Sequence, residues 1–229
     1  MISLNAVTPA SARSRADLAA LVATYARRTA SMDAPETVTI VGNAPVPPDP
    51  ERAAAIDAAD LVIRMTSFAV DTPDAPPALG SRTDVVVLHR GLIASPHTFA
   101  DYPSRLYLLV EPGRLHWEPE LIPDWWPADL GFVPVSNRDF TVPLNDLLGY
   151  DPRAAIWSTT GTLTAYLVTE LFPKATVRMA GMSIIDQPDQ TTFAHAWGDA
   201  VRVTEEHRLA AEAALLRSWI DIGKIEVLP

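Results

Sequence analysis

Gly42 and Asn43 follow the apolar run Val38–Val41 and precede a proline-rich stretch. In open α/β sheets, ligands bind beyond the carboxyl ends of the strands, and a glycine there lets a ligand approach the backbone. The asparagine amide offers both a donor and an acceptor, which suits a phosphate, a ribose or a base. Glycine and asparagine also form ordinary turns, so the pair alone predicts either a binding loop or a plain turn.

Ser158, Thr159 and Thr160 precede Gly161 at the start of a helix-like stretch that ends before Pro173. The first N–H groups of a helix are free and carry a partial positive charge, and neighbouring hydroxyl groups can bind the same anion. The stretch therefore predicts an anion-binding site. The alternative is an ordinary N-cap.

His195 and His207 lie twelve residues apart near the end of the sequence. The pattern over Thr204–Ile222 predicts a helix with Thr204 as its N-cap, which places His207 in the first turn. An imidazole there could meet a substrate as a base, because histidine changes charge near neutral pH. The alternative is a histidine on a charged, exposed first turn.

Motifs of several other site classes are absent from the sequence. No G-x-G-x-x-G follows Gly42, and no Walker motif, G-x-S-x-G, D-x-D, H-x-x-x-H or H-E-x-x-H occurs. We therefore predict no dedicated metal site.

The stretches that carry these residues lie between apolar runs and helical patterns. The runs are mostly continuous rather than alternating, which is typical of strands buried on both faces. Strands alternating with helices predict an α/β fold with a mostly parallel sheet flanked by helices. The predicted strands are Val38–Val41, Leu61–Met65, Asp84–Leu88, Leu106–Val110, Phe132–Val135, Thr176–Met179 and Ile225–Leu228. The predicted helices are Pro50–Ala59, Asn137–Leu148, Thr160–Leu171 and Thr204–Ile222.

The composition restricts the partners of the chain. Its 229 residues carry a net charge of −10, which argues against a nucleic-acid backbone as partner but not against a nucleotide. The absence of cysteine excludes disulfides and fits a reducing compartment, so we expect a cytoplasmic location. No apolar run approaches about 20 residues, so we expect no membrane span. Residues 1–32 contain apolar positions at helical spacing and predict a helical segment packed on the domain.

Taken in order, the motifs resemble those of the animal-type sialyltransferases, glycosyltransferase family 29, over most of the chain. The long sialylmotif resembles "VTIVGNAPV", "IDAADLVIRMTSF" and "LGSRTDVVVLHRG", and the short sialylmotif resembles "STTGTLTAYLVTELFPKATVRMAGMSI". "HAWG" is similar to the third motif, and "KIEVLP" to the closing strand. His207 and Glu212, spaced H-x-x-x-x-E, match the very short motif.

The chain departs from that family at several points. It lacks the cysteines of the family's common disulfide, and it has Thr66 where an asparagine is common and Ala196 where an aromatic residue is common. It also shows no N-terminal membrane anchor. These departures suggest a distant, bacterial-type relative.

The resemblance implies a single catalytic domain over residues 1–229, Rossmann-like and of the GT-A-variant kind, with a mixed seven-stranded sheet. It implies inverting transfer of sialic acid or a related sugar from a CMP-linked donor to a glycan hydroxyl, as in polysaccharide biosynthesis, without metal or cofactor. The donor would be held by Gly42, Asn43, Thr66, Ser158, Thr159, Thr160 and Gly161.

The resemblance also suggests separate roles for the two histidines. His207 would take the proton of the acceptor hydroxyl, and His195 would donate to the leaving phosphate. Glu212 would support the fold rather than touch substrate. The acceptor would lie against the variable loops, near Trp117, Trp125 and Trp126, since sugars stack on aromatic faces. From the sequence alone, these tryptophans form either a ligand wall or a packed structural loop, and packing is the favoured interpretation.

Two alternatives remain open from the sequence. The chain could be a nucleotide-binding module without catalysis, which would not need His207. It could also be a transferase that uses a different activated sugar, such as CMP-Kdo.

Overall fold

The computed structural model describes residues 15–27, 34–115 and 118–229. The strands in these ranges are β1 Thr37–Val41, β2 Leu61–Met65, β3 Val85–His89, β4 Leu106–Val110, β5 Val133–Pro134, β6 Thr176–Ala180, β7 Thr192–Phe193, β8 Val201–Arg202 and β9 Ile225–Val227. The α-helices are α1 Arg15–Ala23, α2 Pro50–Ala58, α3 Val142–Leu147, α4 Thr160–Leu171 and α5 Leu209–Asp221.

Seven strands form one sheet in the order β5-β4-β3-β2-β1-β6-β9. Helices flank it, so the predicted α/β, Rossmann-like fold is confirmed. Every pair of neighbouring strands in this sheet is parallel, so the mixed sheet implied by the resemblance is wrong. The strand order reverses between β1 and β6, and such a switch point is where open α/β sheets bind ligands.

Apolar side chains cover both faces of the sheet, as the continuous apolar runs predict. On one face, Ile40 belongs to a buried cluster with Leu163 of α4 and Leu216 of α5. On the other face, Val41 packs with Ile56 of α2. Neighbouring residues of a strand point to opposite faces, so a strand between two helical layers must be apolar at nearly every position.

Helix α1 packs on the sheet through buried Leu18 and Val22, with Tyr25 packed against the same cluster. The predicted helical segment over residues 1–32 stays a prediction as a whole, since only residues 15–27 of it are described. Over the residues described, no helix has both the length and the apolar character needed to cross a membrane.

The proline-rich loop after β2 is held by polar contacts. Arg64 is fully buried; its Nη2 donates to Leu79 O at 2.8 Å and its Nε to Arg82 O at 2.9 Å. Burial lowers the pKa of this guanidinium to about 10. The Asp71 carboxylate accepts from the Gly80 N–H at 2.7 Å. These bonds pair carbonyl and N–H groups of a loop that has no regular secondary structure, so they hold the loop in place.

Two elements differ from the predictions. The helix predicted over Asn137–Leu148 begins as a π-helical segment, Asn137–Thr141, before α3. Pro143 has no N–H, so a regular α-helix cannot keep its hydrogen bonds through it. The β7–β8 hairpin was not predicted, because two-residue strands give no periodic pattern.

Candidate functional site

A cleft of about 650 Å³ opens at the carboxyl ends of the strands, at the switch point between β1 and β6. It is lined by loops from distant parts of the chain. Every residue predicted for the site lies in its wall: Gly42, Asn43, Thr66, Ser158, Thr159, Thr160, Gly161, His195 and His207. The structure therefore brings the predicted residues together, while their individual roles stay predictions.

Gly42 lies where the loops after β1 and β6 contact each other, and this contact requires a glycine. Its N–H donates to Ala180 O at 2.8 Å, and a Cβ on Gly42 would lie 2.2 Å from Gly181 O. The predicted reason for this glycine was close approach of a ligand. The structure supplies a different one, since the loops after β1 and β6 touch here and leave no room for a side chain.

Asn43 and Thr66 lie at the ends of neighbouring strands and contact each other. Asn43 Nδ2 donates to Thr66 Oγ1 at 2.8 Å, which leaves Asn43 Oδ1 buried and without a hydrogen-bond partner in the described part of the chain. Thr66 has a φ of 49°, a left-handed conformation that is unusual for a β-branched residue and easier for asparagine. The Asn43 side chain, in the wall of the cleft, therefore keeps one buried amide oxygen unpaired.

Part of the hydrogen-bonding capacity at the start of α4 is already taken by side chains of the protein itself. Thr159 is the N-cap and accepts from the Thr162 N–H at 3.3 Å. The N–H and hydroxyl of Thr159 donate to Glu212 Oε2 at 2.8 and 2.7 Å. The Glu212 carboxylate thus already accepts hydrogen bonds from two donor groups of the predicted anion-binding site. The first N–H groups of the helix, at Thr160 and Gly161, have no partner inside it and remain to bind a ligand.

Glu212 is fully buried on α5 and does not line the cleft, which is consistent with the expected role in supporting the fold or the surroundings of the histidine. Its Oε2 joins α5 to the start of α4 through Thr159, while its Oε1 has no hydrogen-bond partner among the described residues. Burial, and then the nearby Glu212, raise the pKa of Tyr150 above its ordinary value. The buried carboxylate is favoured where it lies, because the partial positive charge of a helix start stabilises an anion.

His207 lies before α5, so its predicted position in the first turn of a helix is wrong. Helix α5 begins at Leu209, and Thr204 is not its cap. The Trp157 N–H donates to Glu206 O at 2.9 Å, and His207 Nδ1 is 2.9 Å from Trp157 O. These contacts hold residues 206 and 207 against the segment before α4 and stop the helix from starting earlier.

The contact with Trp157 fixes the protonation of the His207 ring. A carbonyl oxygen can only accept a hydrogen bond, so Nδ1 must carry the proton in this contact. The neutral ring then has its lone pair on Nε2, on a residue that lines the cleft. This is the tautomer that can accept a proton from a bound molecule.

His195 follows β7 in the loop of the β7–β8 hairpin. The next residue, Ala196, ties this loop to the switch point, because its N–H donates to Asn43 O at 2.7 Å. Burial lowers the pKa of His195, so the ring is neutral near pH 7 and can donate one hydrogen bond. Trp197 packs edge-on against His97, with ring centroids 5.5 Å apart.

The cleft residues missed from the sequence include His89, Arg90, Glu111 and Trp157. His89 ends β3, and Glu111 directly follows β4. Their positions at strand ends could have identified them, since the rule that led to Gly42 applies to every parallel strand.

Among these residues, Arg90 and Glu111 are the ionisable groups that can bring charge to the cleft, and His89 brings an imidazole. His89 Nδ1 accepts from the Gly91 N–H at 2.9 Å, so the proton of its neutral ring lies on Nε2. Burial lowers the pKa of His89, and so do the nearby Arg90 and His207. The Arg90 guanidinium lies over the Trp157 ring, 5.6 Å from its centroid.

The tryptophans predicted to meet the acceptor lie elsewhere. Trp126 is buried in an aromatic cluster with Phe99 and Tyr107, and Trp125 packs beside it. Neither lines the cleft, so that prediction is wrong for these two, and Trp117 lies outside the described residues. A tryptophan pair in a proline-rich loop looks the same whether it covers a core or binds a ligand.

Comparison with known proteins supports the fold. No protein-family model matches the sequence, and no curated protein is significantly similar to it. A crystal structure of a mammalian sialyltransferase is similar, with a TM-score of 0.57 and 18% identity over 84% of this chain and 68% of that chain. A second, of a mammalian sialyltransferase in complex with Gal-beta-1-3GalNAc-ortho-nitrophenol, gives 0.56 and 17% over 84% and 69%. The chain thus shares an α/β fold with these sialyltransferases.

Proposed function

We propose that this protein is an inverting, metal-independent glycosyltransferase. It transfers sialic acid or a related sugar from a CMP-linked donor to a hydroxyl of a glycan acceptor. The fold similarity to mammalian sialyltransferases supports the class of reaction. The choice of a CMP donor follows the resemblance of the motifs around Gly42 and Gly161 to the long and short sialylmotifs.

The observation that carries the proposal is the state of His207. Its Nδ1 is engaged by Trp157 O at 2.9 Å, so its Nε2 is the free acceptor in the cleft. A nucleotide-binding module without catalysis gains nothing from a basic nitrogen held in this way. A transferase needs one, because the acceptor hydroxyl must lose a proton as it attacks.

The nucleotide belongs at the switch point. Asn43 Oδ1 and Ser158 Oγ line the cleft, are buried and have no partner in the described ranges, so hydroxyl or amino groups of a nucleotide would satisfy them. The N–H groups of Thr160 and Gly161, at the start of α4, suit its phosphate.

The proposed step is a single displacement. The acceptor oxygen forms a bond to the anomeric carbon of the donor and gives its proton to His207 Nε2. The bond from that carbon to the phosphate oxygen breaks, and CMP leaves with the electron pair. His195 donates a hydrogen bond to the phosphate, and the start of α4 stabilises its charge.

CMP should stabilise the folded protein. Binding to the native state alone raises the free energy of unfolding by about 2.7 kcal/mol at a hundredfold excess over Kd. The measurement is thermal unfolding with CMP, CDP, UDP and GDP at equal concentrations. A shift with UDP or GDP and none with CMP would show that the donor is a different nucleotide sugar.

Transfer should continue in EDTA. The sequence lacks D-x-D, and residues 15–27, 34–115 and 118–229 contain no group of three or more acidic, histidine or cysteine side chains suited to a metal. The assay compares donor consumption before and after dialysis against EDTA. Loss of activity that Mn²⁺ restores would place the protein in a metal-dependent class of glycosyltransferase.

CMP-Kdo is the alternative donor. It shares the nucleotide with CMP-sialic acid, so CMP binding alone does not separate the two. Donor consumption measured with each activated sugar in turn does, and we expect turnover with CMP-sialic acid.

A further inference from the structure

Glu111 is a half-buried residue of the cleft that the proposed step does not use. It directly follows β4 and has a φ of 48°, a strained left-handed backbone for a residue other than glycine. Its Oε1 is buried and has no hydrogen-bond partner among the described residues. Leaving a sheltered acceptor unpaired is costly, and backbone strain of this kind is concentrated at functional sites.

The surroundings of Glu111 bring the pKa of its carboxyl close to neutral pH. Burial raises the pKa of this carboxyl to about 7; Arg90 acts in the opposite direction, while Glu212 and Glu206 raise it further. Near neutral pH the carboxyl can therefore accept a hydrogen bond as an anion or donate one when protonated.

Glu111 follows β4, which is three places from β1 in the sheet, roughly 14 Å at the usual spacing between strands. The charges that act on its carboxyl are those of Arg90, which lies over Trp157, of Glu212, and of Glu206, which precedes His207. A carboxyl next to the donor phosphate would be repelled by it. On the side of Trp157 and His207, the ligand it would meet is the second substrate.

Building on the proposed function, we infer that Glu111 is a specificity residue for the acceptor. Its carboxyl forms a hydrogen bond with a second hydroxyl of the saccharide whose reacting hydroxyl is deprotonated by His207. This pairs the buried Oε1 and fixes which hydroxyl reaches the base. The substrate class is thus a neutral saccharide with at least two hydroxyl groups facing this wall.

The test measures binding of methyl glycosides to the CMP-saturated protein by saturation-transfer NMR. The probes are the methyl glycosides of galactose, N-acetylgalactosamine and glucose. At least one should bind the wild type, and Glu111→Leu should weaken it by about tenfold or more, since a hydrogen bond to a charged group is lost. Glu111→Gln keeps an acceptor oxygen and should lose less.

The control is Glu205→Gln, the same kind of change at an exposed position that does not line the cleft. It should bind CMP and the glycosides as the wild type does. CMP affinity should also be unchanged in both Glu111 variants. If no glycoside binds, or if Glu111→Leu and Glu111→Gln bind them as tightly as the wild type, the inference is wrong.

Failure of the proposed function would look different. If CMP itself does not bind, the donor assignment fails first, and glycoside binding without nucleotide then tests Glu111 separately. The same criteria apply to that measurement, so either result decides the role of this residue.

Thermal unfolding at different pH values, compared with glycoside affinity, separates a structural role of Glu111 from a binding role. The folded pKa of Glu111 is raised from 4.5 to about 7, so its contribution to stability is full below pH 4.5 and is lost as the pH rises to about 7. Glu111→Gln should remove this dependence. A residue that only shaped the fold would change the unfolding profile and leave glycoside affinity unaltered.

Discussion

His207→Ala should lower kcat by about 10²–10⁴-fold and leave CMP affinity nearly unchanged. His207 Nε2 is the free basic nitrogen of the ring, because Nδ1 is bound to Trp157 O. Its proposed partner is the acceptor hydroxyl rather than the nucleotide. The measurement combines steady-state kinetics with CMP titration by calorimetry.

Two other histidines provide the comparison for this variant. His195→Ala should weaken both turnover and CMP affinity, because its proposed partner is the phosphate. His97→Ala should change both less than His195→Ala does, since His97 does not itself line the cleft and contacts it only through Trp197. Wild-type turnover in His207→Ala would mean that the base is another residue.

Gly42→Ala should destabilise the protein by roughly 3 kcal/mol, which is the upper range for overpacking. The new Cβ would lie 2.2 Å from Gly181 O, and the nearest atoms include backbone that cannot rotate away. The loops after β1 and β6 would have to separate at the centre of the predicted nucleotide site. Urea unfolding gives the free energy, and CMP affinity should fall with it.

Gly161→Ala is the matched control for Gly42→Ala. A Cβ on Gly161 would lie 2.6 Å from Met182 Cε, the flexible end of a side chain that can move. Gly161 is also inside α4, where alanine is favoured over glycine by up to about 1 kcal/mol. We expect little net change in stability. Equal losses of stability in the two variants would contradict the conclusion that the contact between the loops after β1 and β6 requires a glycine at position 42.

The strands of the sheet were predictable because their burial is encoded locally. Central strands between two helical layers must be apolar at nearly every position, and β2 and β4 match the predicted ranges from end to end. Helix α4 was predicted to the residue because Thr159 caps it and Pro173 follows it. Helix α5 was not, because its start depends on Trp157, which is far away in the sequence.

The candidate site was predicted in part for a similar reason. Glycine, asparagine and hydroxyl groups at strand and helix ends follow rules that apply along the chain, so Gly42 and Gly161 could be singled out. Glu111 and His89 obey the same rule at the ends of β4 and β3; His89 lies in the quoted segment "LGSRTDVVVLHRG" but was not singled out, and Glu111 lies in none of the quoted segments. The use of Thr159 by Glu212 has no local signature, since the two are 53 residues apart.

The sequence by itself determined the alternation of strands and helices and the residue types available at their ends. Only the tertiary structure decided which of those ends meet. The reversal of strand order between β1 and β6 places Gly42 against Gly181, and the contact with Trp157 sets the tautomer of His207. The physical reason is the range of the forces involved: burial and capping act within one element, whereas the site depends on hydrogen bonds and close contacts between segments separated by 50 residues or more.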